Sequence, residues 1–532
     1  GCRRRSPWPS AATARFTPDL QSVVYSAFWE GGKPYELFVQ RLASADARPL
    51  GVSGMIAGVT GADVFFLHDG TLSRIALEGG IPRELLSGLS YADSDRTGTQ
   101  FAIVRRNPAG KVPDVVEQIE YPVGKVLLEA RGTEGIRNIR LSPDGRRLAF
   151  IWQSNRRAMP GDVCVVDAAG QKRTLAENWP NAGFLAWSPD GTEVWFMAAQ
   201  SEINLELHAV TLSGRERLVA RFPGRMRLRD VSSDGRVLAT FGQRRFELRG
   251  RLAGDAAERD HSWLDGTFLP TLSPDGTQTV FQEWGDGGDE TMGRGGSMSA
   301  TVYHWRIGDP APKRLGKGTP WSVSPDWATV LIGGDDRVDP KLMPMGAGET
   351  VTLPRGPIKS YVWGYWHPDG RQVVFLGTGG DGKTRLFVQD VRGGLPRPLG
   401  EAAVLLTFSP DGKFIVARPK AGQPCAYYPM DGGAPQPIPF LLPGETPRTF
   451  GDDGRSLYVA SLSGACSYKV ARLDLKSGKR TPWLELTPPD QAGAFAGNPV
   501  CERKVWITPD GRYYLYGYTR YLQDIYLIEG LK

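Results

Sequence analysis

Asp286, Asp289 and Glu290 stand close together in EWGDGGDETMGRGGSMSATVYHW, residues 283–305. Calcium takes about six to eight hard oxygen ligands, and a glycine-rich loop could fold carboxylates around one. The spacing is not that of an EF-hand, and acidic pairs in glycine-rich loops are ordinary on solvated surfaces. The stretch is therefore expected to be a solvent- or partner-facing loop, with calcium, the only cofactor to consider, as the weaker reading. The five cysteines, Cys2, Cys164, Cys425, Cys466 and Cys501, show no close spacing of the zinc or redox kind. Cys164 sits in the buried-strand pattern GDVCVVD and is expected to be an inert core thiol. Cys425, Cys466 and Cys501 fall late in the chain, and in an oxidising compartment one disulfide could form among them; the spacing leaves the pair open. His68, His208, His261, His304 and His367 are dispersed, without metal-ligand spacing. A G-x-S-x-G elbow and the kinase signatures are missing from the sequence. No catalytic residue is assigned, and the chain is expected not to be an enzyme.

The most frequent acidic residues have another use. Asp19, Asp144, Asp190, Asp234, Asp275, Asp326, Asp369, Asp411, Asp453 and Asp510 each sit in a turn of the S/T-P-D-G type, as in LSPDGRRLAF, WSPDGTEVWF and FSPDGKFIVA. Proline presets φ, aspartate bonds the backbone ahead of it, and glycine takes positive φ without a Cβ clash. In HPDG, His367 replaces the serine, so a structural role is expected for it. From Asp144 onward the anchors lie 41 to 57 residues apart. Two worn copies, at Gly61 in VTGADVFFL and Gly98 in DRTGTQFAIV, fill the early gap. The count is twelve units.

Each unit reads as four strands. An apolar strand leads into the turn, a second follows it, a third alternates as in ELFVQRL or RLFVQDV, and a short polar one closes the unit. Units of this size with four strands are propeller blades, which bury both faces only by packing around an axis. The expected fold is all-β: tandem β-propellers of about twelve blades, as two six-bladed rings over residues 1–257 and 258–532. DIYLIEG is expected to be the third strand of unit twelve. Residues 258–264 would supply that unit's outer strand, and residues 5–14 would close the first ring.

The chain has 532 residues, 66 of them glycine and 41 proline, and a net charge of +6. That supply of turn formers suits many short strands. The charges are interspersed apart from Arg3-Arg4-Arg5, so no nucleic-acid partner is expected. No run reaches the roughly 20 apolar residues that span a bilayer. GCRRR resembles the end of a lipoprotein signal, which makes Cys2 a candidate for lipidation, although Gly1 ahead of it counts against cleavage there.

The repeats resemble TolB-like propeller repeats. ARFTPDLQSVVYSAFWEGGKPYELFVQRLASADARPLG, ERDHSWLDGTFLPTLSPDGTQTVFQEWG, SYVWGYWHPDGRQVVFLG and the ending TPDGRYYLYGYTRYLQDIYLIEGLK occur in that order. Together they resemble the extracytoplasmic propeller region of serine/threonine protein kinases common in Acidobacteria, here without the kinase domain. Related propellers follow winged-helix DNA-binding domains. The resemblance implies an extracytoplasmic sensor or scaffold region, tethered to a membrane only through a neighbouring segment or a lipid, and it carries no catalytic residues.

Three functions follow as expectations. The first is a non-catalytic extracytoplasmic module that binds a protein, peptide or glycan. The second is a structural subunit of a surface or envelope assembly, with self-assembly. The third and least favoured is a hydrolase or lyase with an axial site.

Overall fold

The computed structural model describes residues 2–6, 11–27, 35–95, 97–107, 115–155, 160–199, 205–222, 225–284, 300–333, 339–420, 422–464, 466–495 and 505–531. Among them the regular structure is all strand, and no helix is long and apolar enough to cross a membrane. The fold is that of tandem β-propellers. Ten antiparallel sheets have four strands each, paired in chain order, and one larger sheet has seven.

One blade shows how the sequence builds the rest. Gly135–Leu141, Arg147–Gln153, Gly161–Asp167 and Lys172–Trp179 pair in turn. The second and third strands are buried on both faces, so LAFI and VCVV run apolar without alternation. The fourth strand lies partly in solvent and is polar where exposed. Ala149, Ile151 and Val163 of this blade pack against Trp187, Val194 and Phe196 of the next. Each of the larger side chains, Ile151, Val163, Val194 and Phe196, contributes about 1.5–3 kcal/mol on burial, a gain that one blade alone could not realise on both faces.

Between the first two strands lies the S-P-D-G turn. Gly145 has φ 67°, and its N–H donates to the Ser142 carbonyl at 2.9 Å. The Ser142 hydroxyl donates to Asp144 Oδ1 at 2.5 Å and accepts from Arg147 N at 2.9 Å. Ser142 and Asp144 therefore close the hairpin from inside and outside the turn.

The innermost strands fall into two cyclic sets. Ala11–Phe16, Met55–Val59, Leu89–Ser94, Gly135–Leu141, Asn181–Trp187 and Arg225–Val231 touch in sequence, and the last touches the first. Thr267–Leu272, Thr319–Val323, Ile358–Trp366, Val404–Phe408, Thr446–Phe450 and Val505–Ile507 do the same. Each set has six members. The chain divides into two compact units that contain these sets.

The boundaries differ from 1–257 and 258–532. Among the described residues, the first unit holds those up to 243 together with 521–531, and the second holds those from 244 to 520. The reason is two strands of 15 residues each, Val237–Arg251 and Tyr514–Ile528. Neither contains a turn sequence, so each continues where a shorter strand would have stopped. Val237–Arg251 begins in the first unit, where Met226 pairs with Phe241, and ends in the second, where Arg249 pairs with Asp260. Tyr514–Ile528 runs the other way. Its start pairs with Val505–Ile507 in the second unit, and its end pairs with Cys2–Ser6 in the first. DIYLIEG is thus the third strand of the first unit's last blade and not of unit twelve. Arg259–Asp260 lies at the outer edge of the second unit's last blade. The first unit's outer edge is Cys2–Ser6, where residues 5–14 were expected.

Candidate functional site

The turn aspartates are structural. The Ser or Thr two positions earlier donates to Asp19, Asp144, Asp190, Asp234, Asp275, Asp326, Asp411 and Asp510. Asp369 accepts from Arg371 N at 2.7 Å and lies 3.0 Å from His367 Nδ1. Asp453 accepts from Ser456 N at 2.9 Å. In Asp144, Asp190 and Asp411 the hydroxyl donor is the main cause holding the carboxyl below its ordinary range. These groups are fixed anions at hairpin ends. His367 fills the serine place, with Nε2 2.8 Å from the Gly412 carbonyl.

A second device faces the axis. Among the described residues, the register between the first and second strands skips within the first in eleven blades. Such a bulge bends the strand and re-aims its side chains. The skip falls at Arg229 in the first unit, between Leu228 and Asp230, and at Arg448 in the second, between Pro447 and Thr449.

In the first unit this region is a cavity of about 200 Å³ at the hairpin-turn end, lined by Arg15, Asp93, Arg140 and Asp230 among others. Arg15 donates to Asp93 Oδ1 at 2.7 Å and to the Arg229 carbonyl at 3.0 Å. Arg140 donates to the Leu185 carbonyl at 2.9 Å and the Arg229 carbonyl at 3.2 Å. Asp93 Oδ2 accepts from Leu141 N at 2.7 Å, and Asp230 Oδ2 from Phe16 N at 3.0 Å. The links join the first strands of five blades. Burial, then the nearby Arg15 charge, brings the Arg140 guanidinium down to about 10. Burial lowers Arg229 well below its usual value and raises Asp230. The charges are fixed to backbone and to each other, so this axis is a clasp. A buried network of this kind is costly to assemble and more costly to break on one side.

The second unit's axis is different in kind. Its cavity, of about 160 Å³, is lined by fifteen residues, among them Trp321, Trp363, Tyr365 and Trp506; Arg448 is the one charged residue in that lining. Trp321 is buried, and its ring centroid lies 6.1 Å from Trp363 and 6.2 Å from Phe375. Trp363, Tyr365 and Trp506 are half-buried. The aromatic wall is held from behind by packing and open in front. This arrangement suits stacking.

The remaining candidates are dispersed. Cys164, Cys425 and Cys466 are buried, and no bridge joins Cys425 to Cys466; Cys501 lies outside the described residues. Burial pushes the Cys164 thiol up to about 11. Asp286, Asp289 and Glu290 also lie outside the described residues. The backbone of Cys2 opens the strand Cys2–Ser6. No group of three or more metal-ligating side chains gathers among the described residues. The sequence reading assigned none of the axial side chains to a site, because no motif marks them; the aromatic run YVWGYW was the available signal.

No family model and no curated protein matches the chain. Solved structures do. A putative TolB from Agrobacterium tumefaciens is 19% identical with a TM-score of 0.38, covering 52% of this chain and 99% of that one. Tricorn protease is 13% identical with a TM-score of 0.41, covering 96% of this chain and 57% of that one. Oligogalacturonate lyase from Vibrio parahaemolyticus is 12% identical with a TM-score of 0.31, covering 73% and 93%. At these identities and scores they carry no ligand or chemistry to this chain.

Proposed function

We propose that the chain is a non-catalytic binding module of the extracytoplasmic sensor type, which recognises a protein, peptide or glycan at a propeller axis. The observation that carries this reading is the second unit's cavity, where half-buried Trp363, Tyr365 and Trp506 are presented on a packed aromatic frame. Aromatic side chains that are rigid behind and exposed in front provide recognition area with little ordering cost. The extracytoplasmic setting is supported by the sequence resemblance to kinase sensor regions. The test is affinity capture from bacterial envelope extract, with bound proteins and glycans identified separately. A partner released by Trp363→Ala, in protein that melts normally, supports the reading. Failure of well-folded protein to retain any partner overturns it.

A further inference from the structure

We infer that the second unit's axial cavity is a site for one neutral pyranose ring of a glycan, with its C–H faces toward Tyr365 and Trp506 and its hydroxyl rim bonded by Thr271 and Thr407. The inference rests on the binding-module reading and names the ligand chemistry of that same site.

One position of the repeat carries it. Each inner strand has a residue two places before the first residue of its turn, paired to the second strand of the blade. In the first unit these are, in ring order, Arg15, Gly58, Asp93, Arg140, Ala186 and Asp230, and all of them line that unit's cavity. In the second unit they are Thr271, Ser322, Tyr365, Thr407, Thr449 and Trp506, and all but Ser322 line the cavity there. Each ring repeats its pattern after half a turn: basic, small, acidic in the first, and hydroxyl, hydroxyl, aromatic in the second. In a closed set of six strands, the third stands opposite the sixth and the first opposite the fourth. Tyr365 and Trp506 are therefore on opposite sides of the second cavity, and Thr271 and Thr407 are opposite each other between them.

The hydroxyls narrow the ligand. Ser322 Oγ accepts from Trp366 N at 2.9 Å, and Thr449 Oγ1 donates to the Phe450 carbonyl at 3.4 Å. Thr271 and Thr407 are half-buried, and among the described residues their hydroxyls bond to no other group of the chain. Each can donate one hydrogen bond and accept two. A purely apolar ring would satisfy the aromatic walls and strip these hydroxyls of water without replacing it, which is costly. A cation would meet the Arg448 guanidinium, which lines the same cavity. A pyranose with equatorial substituents has C–H groups on both faces and hydroxyls around its rim. Its faces match the negative faces of aromatic rings, and its rim matches the two threonines. The cavity of about 160 Å³ is close to the roughly 150 Å³ that accommodates benzene, so it takes one six-membered ring and leaves the rest of a glycan outside.

The experiment titrates the full chain with methyl β-glucopyranoside, whose ring substituents are all equatorial, followed by calorimetry and tryptophan fluorescence. Methyl β-galactopyranoside turns one hydroxyl out of the rim, and cyclohexanol is a six-membered ring with a single hydroxyl. The glucoside should bind at least about tenfold more tightly than either, because a site built to bond hydroxyls rejects a ring that lacks or misplaces them. Thr271→Val combined with Thr407→Val should remove its advantage over cyclohexanol. Thr271→Ser combined with Thr407→Ser should keep most of it, and Trp506→Ala should weaken all three compounds. Melting of each variant confirms that the second unit is folded, and the ranking of the three compounds by the native chain needs no variant. Absence of glucoside binding by the native chain overturns the inference. So does equal binding of the glucoside and either other compound, or an advantage that survives the double valine variant. A captured envelope partner released by Trp363→Ala, with no glucoside bound, would sink this inference and leave the binding-module reading standing. Glucoside binding by a chain that retains no envelope partner would do the reverse.

Discussion

The two axes are built on one backbone plan and filled with opposite chemistry. In both units six inner strands close on themselves, nearly every one with a skip in its register. The first unit places Arg15, Asp93, Arg140 and Asp230 there and ties them to main-chain carbonyls and amides. The second places Trp321, Trp363, Tyr365 and Trp506 there, with Arg448 as the charged residue. The repeat therefore sets where the inner strands lie, and the residues they carry set what the axis does. One axis is held by linked charges; the other is walled mainly by rings.

The largest effect should come from the strand that returns to the first unit. Deleting residues 521–532 removes the third strand of that unit's last blade, including Ile525, Leu527 and Ile528, which are buried there. It also strips the pairing from Cys2–Ser6. The first unit's calorimetric transition should disappear. The second unit's should remain, because Arg520 keeps its pair with Glu247 at 2.7 Å. Survival of the first transition at its native temperature would refute the strand exchange.

Next in size is the clasp. Asp93→Ala leaves Arg15 and Arg140 beside each other without their shared carboxylate, which lies 2.7 Å from Arg15 and 3.6 Å from Arg140. Removing one partner of a buried ion network costs about 3–5 kcal/mol. The loss should fall on the first transition alone. In the second unit Thr449→Ala, at an uncharged residue that lines the cavity there, should move the melting temperature little. If the two substitutions destabilise their units equally, the division into closed and open axes fails.

Much of the fold was legible in the sequence, and the axes were not, for a physical reason. The S-P-D-G turn is local: Ser142, Asp144 and Gly145 satisfy one another within a few residues, so their spacing alone betrays the hairpin. The worn copy at Gly98 was readable because its φ of 69° still demands glycine. Strand length has no such mark. Nothing in YLYGYTRYLQDIYLI shows that pairing partners change along the strand, so its end was assigned to the wrong unit. The axial cavities gather single residues from blades about 40 or more positions apart, and no local pattern brings Arg15, Asp93 and Asp230 together.

The turns also separate the units more finely. Gly145 and Gly412 have φ near 70°, a region costly for a β-branched residue, so Gly145→Val should cost about 1–3 kcal/mol. A Cβ at Gly145 would lie 3.4 Å from Tyr121 Oη, an ordinary contact, whereas at Gly412 it would lie 2.7 Å from the His367 ring. Gly412→Val should therefore destabilise the second unit more than Gly145→Val destabilises the first. Equal shifts would show that φ alone sets the cost and that the neighbouring side chain adds nothing.

The smallest effect is one that the two units should share. Asp144 and Asp190 in the first unit, and Asp275, Asp411 and Asp453 in the second, all have carboxyl groups held below the ordinary range. Hydrogen bonds to the ionised form cause this, and Asp453 is brought down to about 2. A carboxyl whose folded value is depressed stabilises the fold above its unfolded value of about 4, and that contribution disappears as pH falls through the folded value. Both transitions should therefore lose stability together between about pH 4 and 2. The groups lie near the surface, so each should contribute well under 1 kcal/mol after solvent screening. Asp144→Asn should flatten the acid slope of the first transition slightly, and Asp411→Asn that of the second by a similar amount. Parallel slopes would place the difference between the units at their axes, because the turns are chemically the same in both. A slope confined to the first unit would instead mean that the repeated turn does not govern stability at low pH.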